Sequence, residues 1–282
     1  GCGKATLGRT IVGLEKATRG SITFHGHDLI AMSERDFRPF RKRLQMIFQD
    51  PFSSLNPRMT VQEIITEGLA QFNMLDGSPE EAAARLLGEV GLDNQYIHRY
   101  PHEFSGGQRQ RLSVARAISV QPEFIVCDEA VSALDVSVQA QVVNLLMELR
   151  DRRELSLLFI SHDLSVVRHI SDRIAVMYLG RIVESGHSDA IIEAPHHPYT
   201  QALISAVPVP GEPKKQRVVL QGDVPSPSAP PPGCHFHTRC PFAQDKCRDQ
   251  EPVLADAPGT SGGRHLVACH FAGDLHKTGT SN

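Results

Sequence analysis

The chain lacks an excess of charge of either sign and lacks any long apolar run. Its 29 Lys and Arg residues nearly balance its 32 Asp and Glu residues, which leaves a net charge of -3 at pH 7. A protein that binds nucleic acid through surface charge would carry a basic excess, so no nucleic-acid partner is expected. The longest apolar run, Ile174 to Leu179, is far shorter than the roughly 20 residues that cross a bilayer. Any association with a membrane must therefore come through partners.

An apolar run that ends in two acids is the first informative pattern. Phe124 to Cys127 follows Pro122 closely and leads into Asp128 and Glu129. Such a run predicts a strand buried on both faces, as in a parallel sheet covered by helices. Ligands bind outside the carboxyl ends of these strands, so we expect Asp128 to hold Mg2+ through water and Glu129 to polarise a water that attacks a γ-phosphate. The alternative is two surface acids that simply end a strand.

The first residues match the second half of a phosphate-binding loop that leads into a helix. In the pattern G-x-x-x-x-G-K-[ST], backbone N–H groups surround the phosphates, the Lys contacts the β- and γ-phosphates, and the hydroxyl binds Mg2+. Gly3 and Lys4 fit this pattern, but Ala5 replaces the hydroxyl residue. Thr6 is a poor substitute because it lies about 100° further around the helix axis. We expect the first glycine of the pattern, and a strand before it, to lie upstream of Gly1.

A second candidate phosphate binder opens a helix before the acidic strand. It consists of Ser105, Gly106, Gly107 and Gln108. Small residues at the start of a helix let backbone N–H groups approach a phosphate closely. Together with the acidic strand, this segment predicts ATP hydrolysis.

With these motifs in this order, the chain resembles the ATP-binding subunits of ABC transporters over nearly its whole length. Ser105 to Gln108 is similar to the signature sequence, Gln49 to the Q-loop glutamine, Ser132 to Asp135 to the D-loop, and His162 to the switch histidine. The resemblance implies a dimer, in which the signature segment of a second subunit closes the ATP site. It also implies that Glu129, His162 and Gln49 support hydrolysis, and that Gln49 contacts the Mg2+ ion. The residues expected to bind ATP are Gly1, Cys2, Gly3, Lys4, Ala5, Thr6, Gln49, Ser105, Gly106, Gly107, Gln108, Asp135 and His162.

Three further stretches resemble the oligopeptide and dipeptide importers within that family. They are the extended Q-loop from Gln49 to Pro57, the segment from His197 to Leu203, and the Cys-rich tail after Gly233. The resemblance implies a peripheral subunit on the cytoplasmic face of the inner membrane. Its partners would be a second ATPase subunit, identical or not, two transmembrane permeases and, indirectly, an extracytoplasmic binding protein. Dipeptide, oligopeptide, glutathione and nickel importers have similar subunits, so the substrate is not predicted.

The expected fold is α/β, a RecA-like P-loop ATPase core with antiparallel strands, a helical subdomain and a small Cys-rich extension. A strand is predicted at 44–48, parallel strands at 124–127, 157–160 and 174–178, an antiparallel strand near 21–24, and helices over much of 60–120. The predicted domains are an ABC-type ATPase domain over residues 1–205 with its helical subdomain at about 60–120, a proline-rich linker over 206–233, and the Cys-rich extension over 234–282.

Four of the six cysteines fall in the tail, at Cys234, Cys240, Cys247 and Cys269. The reducing compartment implied by ATP use argues against disulfides, so four thiolates around one metal centre is the leading hypothesis. The close Cys pairs usual in zinc sites are absent. Some importer subunits that this chain resembles carry a [4Fe-4S] cluster on tail cysteines, which implies such a cluster here. Unligated buried thiols and zinc are the alternatives, while Cys2 and Cys127 are interpreted as incidental.

Two other functions compete with the peptide importer. The loss of a metal ligand at Ala5 would suit a degenerate or regulatory nucleotide-binding half with weak hydrolysis. A soluble ABC ATPase acting on nucleic acid or ribosomes would carry basic surfaces or long inserted arms, and the sequence has neither.

Overall fold

The computed structural model describes residues 2–207, 218–262 and 264–272. They form two compact units, one over Ala5–Asp163 and one that combines the residues up to Lys4 with those from Leu164 onward. Gly1, residues 208–217 of the predicted linker, and residues 263 and 273–282 of the predicted extension lie outside the described residues. The predicted domain boundaries stay predictions.

A parallel sheet of three strands is central to the Ala5–Asp163 unit. Its order is β3 (Leu44–Ile47), β4 (Phe124–Asp128), β5 (Ser156–Ile160), and both neighbouring pairs are parallel. Ile125, Val126 and Cys127 of β4 are fully buried, as expected for the central strand of a covered sheet. The helix α1 (Lys4–Ile11) packs closely on this sheet, because a Cβ on Gly8 would lie 2.8 Å from Val126. The strands predicted at 44–48, 124–127 and 157–160 are confirmed, the last two with the predicted parallel direction.

Helices account for most of the same unit between residues 51 and 153. The helices predicted over much of 60–120 are confirmed, and the first of them, α4 (Val61–Gln71), buries Ile64, Ile65 and Leu69. The antiparallel strand predicted near residue 24 is also confirmed, as a short pair with its neighbour. The remaining elements of the unit are β1 (Thr23–Phe24), β2 (His27–Asp28), α2 (Glu34–Phe37), α3 (Pro51–Ser54), α4 (Val61–Gln71), α5 (Pro79–Glu89), α6 (Gly106–Ser119) and α7 (Val136–Arg153).

An antiparallel sheet organises the second unit, in the order β6-β7-β9-β8. The prediction that residues 174–178 join the parallel sheet is therefore wrong. Only Leu179 and Gly180 separate β6 from β7, and their φ angles of 41° and 77° are those of a two-residue hairpin turn. A turn this short joins antiparallel strands, because a parallel crossover needs a dozen residues or more. The elements of this unit are α8 (Leu164–Ile170), β6 (Arg173–Tyr178), β7 (Arg181–His187), α9 (Ser188–Glu193), α10 (Pro198–Ser205), α11 (Asp245–Asp249), β8 (Ala255–Asp256) and β9 (His265–Val267).

The tail contributes strands to this sheet. β9 pairs with β7 and β8 pairs with β9, so residues on both sides of the proline-rich segment share one set of hydrogen bonds. Phe236, one of the largest fully buried side chains, packs in the same apolar cluster as Ile174 and Ile191. Among the residues that the structure describes, no helix is both long and apolar enough to cross a membrane.

Candidate functional site

Two carboxylates lie at the carboxyl end of β4, as the sequence predicts. Asp128 is the last residue of the strand and is 3% exposed. Glu129 follows with φ 47°, a left-handed conformation that turns the chain out of the strand. Its N–H donates to the carbonyl of Ile160 in β5 at 3.0 Å, which holds this turn against the neighbouring strand.

The side chains of Gln49 and His162 both contact the Glu129 carboxylate. Gln49 Nε2 donates to Glu129 Oε2 at 3.0 Å, and His162 Nδ1 lies 3.5 Å from Glu129 Oε1. Gln49 and His162 each follow the end of a strand, β3 and β5. Because the three strands are parallel, their carboxyl ends meet at one edge of the sheet and bring these residues together. A carboxylate with an amide and an imidazole beside it can accept a proton from water and have its position fixed.

Ser132 is a residue of this site for which sequence analysis proposed no separate role. Its hydroxyl and its backbone N–H both donate to the carbonyl of Glu129, each at 3.0 Å. These bonds close the turn that carries the carboxylate. A serine three residues after a candidate catalytic acid is the sequence signal for such a turn. Asp135 of the same segment begins α7 as its N-cap residue.

The signature segment forms a reciprocal cap at the start of α6. The Ser105 hydroxyl accepts from the N–H of Gln108 at 3.4 Å, and the Gln108 side chain accepts from the N–H of Ser105 at 3.0 Å. A Cβ added to Gly107 would lie 2.4 Å from Val138 of α7, whereas one on Gly106 would meet Leu134 at 3.6 Å. Gly107 is therefore required for helix packing as well as for the predicted approach of backbone to phosphate.

The phosphate-loop residues lie at the start of α1. Gly3 has φ 94°, which favours glycine, and Lys4 is the first residue of the helix. Ala5 and Thr6 occupy its first turn, with Cys2 just before Gly3. Gly1 falls outside the described residues.

The four tail cysteines line one cavity in the second unit. Cys234, Cys240, Cys247 and Cys269 share its wall with His197, His237 and His270. All six cysteines of the chain are free thiols in the structure. Within the described part of the chain, no three His, Cys, Asp or Glu side chains are grouped as ligands of one metal ion.

In the absence of a metal, burial favours the protonated thiol at Cys234, Cys240 and Cys269. Burial first, and the neighbouring cysteines to a smaller extent, raise the pKa of Cys240 to about 12 and that of Cys269 to about 11. Burial also raises the pKa of Cys234. A bound cation would reverse this preference, because metal ligation requires thiolates.

Comparison with known proteins matches two family models. Residues 1–132 match the family described as ABC transporter, and residues 183–247 match the oligopeptide/dipeptide transporter, C-terminal region. The chain is 53% identical over 276 residues to the oligopeptide transport ATP-binding protein AppF of Bacillus subtilis, covering 96% of this chain and 83% of the relative. It is 51% identical over 274 residues to the oligopeptide transport ATP-binding protein OppF of Escherichia coli, covering 95% of this chain and 80% of the relative.

Two solved structures share the fold. The dimeric, post-hydrolysis ATP-binding cassette MJ0796 bound to ADP and Pi superposes with a TM-score of 0.59 at 24% identity, covering 66% of this chain and 81% of the other. The structure of cbiO1 from Clostridium perfringens, part of the ABC transporter complex cbiONQ, gives a TM-score of 0.62 at 22% identity, covering 68% and 76%. These similarities confirm the predicted α/β, RecA-like P-loop ATPase core.

Proposed function

This chain belongs to the family of ATP-binding subunits of oligopeptide ABC transporters, and we propose that Glu129 is the carboxylate that readies water for its ATPase reaction. The chain is an ABC-type ATPase that couples hydrolysis to peptide import. The observation that carries the assignment of Glu129 is the contact of its carboxylate with both Gln49 and His162 at the ends of adjacent parallel strands.

In the proposed reaction, Glu129 accepts the proton of the attacking water and His162 holds the carboxylate in position. Lys4 and the backbone N–H groups that follow Gly3 bind the β- and γ-phosphates. Asp128, through water, and Gln49 would hold Mg2+, which would neutralise charge on the phosphates. Their carboxylate and amide oxygens are ligands that Mg2+ prefers, although Ala5 supplies no oxygen. Phosphate oxygens and water would supply the remaining ligands.

Closure of the site requires a second subunit. We infer that Ser105, Gly106, Gly107 and Gln108 of a second subunit, with Asp135, cover the phosphates bound to Lys4. The capped start of α6 supports this role, because a helix amino terminus presents free N–H groups to an anion.

The family works with permease partners, and we propose two transmembrane permeases and an extracytoplasmic binding protein that acts indirectly. The second ATPase subunit would be identical to this chain or homologous to it. The chain would lie on the cytoplasmic face of the inner membrane as a peripheral subunit.

Retention of radiolabelled ATP by the complete importer during rapid gel filtration tests the closed site. Glu129→Gln should retain ATP, and adding Ser105→Arg should release it, because a bulky cation would block the approach of the helix start to the phosphate. Ser78→Arg is the matched control, since Ser78 caps α5 through the same reciprocal pair of bonds with Glu81. Equal release by both arginine variants would contradict a role for Ser105 at the nucleotide.

We also propose that the tail cysteines hold a metal centre, with a [4Fe-4S] cluster as the leading candidate. Four thiols on one cavity wall are a suitable donor set, and a cluster takes one thiolate on each iron. The four cysteines lack the close pairs in sequence that are usual in zinc sites, which favours the cluster over zinc. The centre would have a structural role.

Anaerobic purification followed by iron, zinc and acid-labile sulfide assays tests this second proposal. The cluster predicts iron and sulfide in equal amounts, both lost in Cys240→Ser. Cys127→Ser is the control, because Cys127 is a buried thiol of β4 outside the cavity. Zinc without sulfide would show that the cysteines bind zinc instead of a cluster. Protein that contains neither iron nor zinc would show that the thiols are unligated.

A further inference from the structure

Arg109 links two loops near the start of α6. Only 7% of the residue is exposed, and its Nε donates to the carbonyl of Pro101 at 2.6 Å. Its second guanidinium nitrogen donates to the carbonyl of His102 at 3.1 Å. The guanidinium carbon lies 3.6 Å from the centre of the Phe52 ring, a close cation–π stack. One side chain therefore holds both the segment before Ser105 and the segment that contains Phe52.

Phe52 belongs to a short helix that begins directly after Gln49 and Asp50. Asp50 caps this helix, α3, by accepting from the N–H of Phe52 at 2.8 Å. Arg116 contacts the other end of α3, since it donates to the carbonyl of Ser54 at 2.5 Å. Arg109 and Arg116 are two helical turns apart, so both arginines project from one face of α6. The helix after Gln49 is thus held by α6 at both ends.

The residues that lead into α3 contact the carboxylate that we propose to be catalytic. Gln49 donates to Glu129 at 3.0 Å, and Asp50 connects Gln49 directly to the helix that Arg109 stacks on. Burying the Arg109 cation carries a desolvation penalty that an apolar side chain of similar volume would avoid. The placement of Arg109 is better explained by the two loops that its planar, five-donor fork can join.

We propose that Arg109, anchored on the carbonyls of Pro101 and His102, is a positioning residue that holds α3 and so sets the position of Gln49 beside Glu129. This inference rests on the proposed role of Glu129 and adds to it a residue that touches neither nucleotide nor metal.

Steady-state hydrolysis by the complete importer, with kcat and KM for ATP measured separately, tests the proposal. Arg109→Ala should lower kcat by roughly 3- to 30-fold with KM unchanged, because the nucleotide contacts remain. Arg109→Lys should recover little of the rate, since an ammonium cannot stack and bridge both carbonyls. Arg99→Ala is the matched control, because Arg99 also stacks on a ring, that of Tyr96 at 4.8 Å, away from Gln49.

A double-mutant comparison separates positioning from a general structural effect. If Arg109 acts through Gln49, adding Arg109→Ala to Gln49→Ala should lower kcat no further. Independent losses that multiply would overturn the proposal, as would an equal loss in Arg99→Ala or an unchanged kcat in Arg109→Ala. If Arg109→Ala does not fold, Phe52→Ala replaces it in the same comparison. Phe52 is 64% exposed, so its loss leaves the core intact.

The same assays distinguish this inference from the proposed function. Rapid hydrolysis by Glu129→Gln would contradict the proposed function, in which Glu129 activates the attacking water. An inactive Glu129→Gln beside a fully active Arg109→Ala would remove only the role of Arg109.

Discussion

The two sheets of the molecule place functional residues in different ways. In the parallel sheet of the Ala5–Asp163 unit, each of three strands ends next to one residue of the proposed catalytic group, Gln49, Glu129 and His162. In the antiparallel sheet of the second unit, candidate ligands come from turns and helices of the tail instead. Parallel strands put all their carboxyl ends at one edge, so a site can be predicted from the residues that follow each strand. Antiparallel strands give no such rule.

If the strand ends of the parallel sheet form the site, replacing His162 after β5 should have the largest of three effects. His162→Ala should lower kcat by about 100-fold, the lower end of the range for groups that assist proton transfer, with KM for ATP unchanged. His98→Ala is the control, because His98 also contacts a carboxylate, Glu80 at 3.2 Å, on an exposed surface. Hydrolysis assays compare the two variants. Equal rates would mean that the position of His162 after β5 has no catalytic importance.

A smaller effect is expected where a glycine permits close packing in the Ala5–Asp163 unit. Gly107→Ala should lower the free energy of unfolding by about 1–3 kcal/mol, because its Cβ would overlap Val138. Val138→Ala should restore most of that loss in the double variant. Chemical denaturation of all three variants measures the effect. Additive losses would show that the two helices do not compete for this space.

The smallest effect on stability is expected for Gly180 in the second unit, where only the backbone conformation favours glycine. Gly180 has φ 77°, and a Cβ there would meet no atom within 4 Å among the described residues. Gly180→Ala should therefore cost about 1 kcal/mol of unfolding free energy, from the left-handed conformation. Gly180→Asn should cost less, because Asn adopts this conformation more readily. Thermal unfolding distinguishes them, and equal stability of Ala, Asn and Gly would contradict the hairpin-turn explanation.

Sequence patterns predicted most of the catalytic unit but less of the second one. The run from Phe124 to Cys127 is apolar because β4 is buried on both faces, and this made the strand and its terminal acids predictable. Residues 174–178 gave the same apolar signal, yet the two-residue turn after Tyr178 makes them antiparallel. The apolar run alone could not reveal this, since burial does not determine strand direction.

The contacts of Arg109 were also beyond prediction from sequence. Its stack on Phe52 depends on how α6 packs against α3, two elements separated by two other helices in the chain. Helical periodicity can assign Arg109 to a face of α6, but it does not indicate which loop that face meets.

The most direct test of the central claim compares two glutamates at opposite ends of β4. Glu129 follows the strand, and Glu123 precedes it in an exposed group with Arg43 and His25. In the complete importer, Glu129→Gln should lower the rate of ATP hydrolysis by at least about 100-fold, because the amide cannot accept a proton from water. Glu123→Gln should change it by less than about twofold, as expected for an exposed ion pair. Rapid hydrolysis by Glu129→Gln would contradict the account.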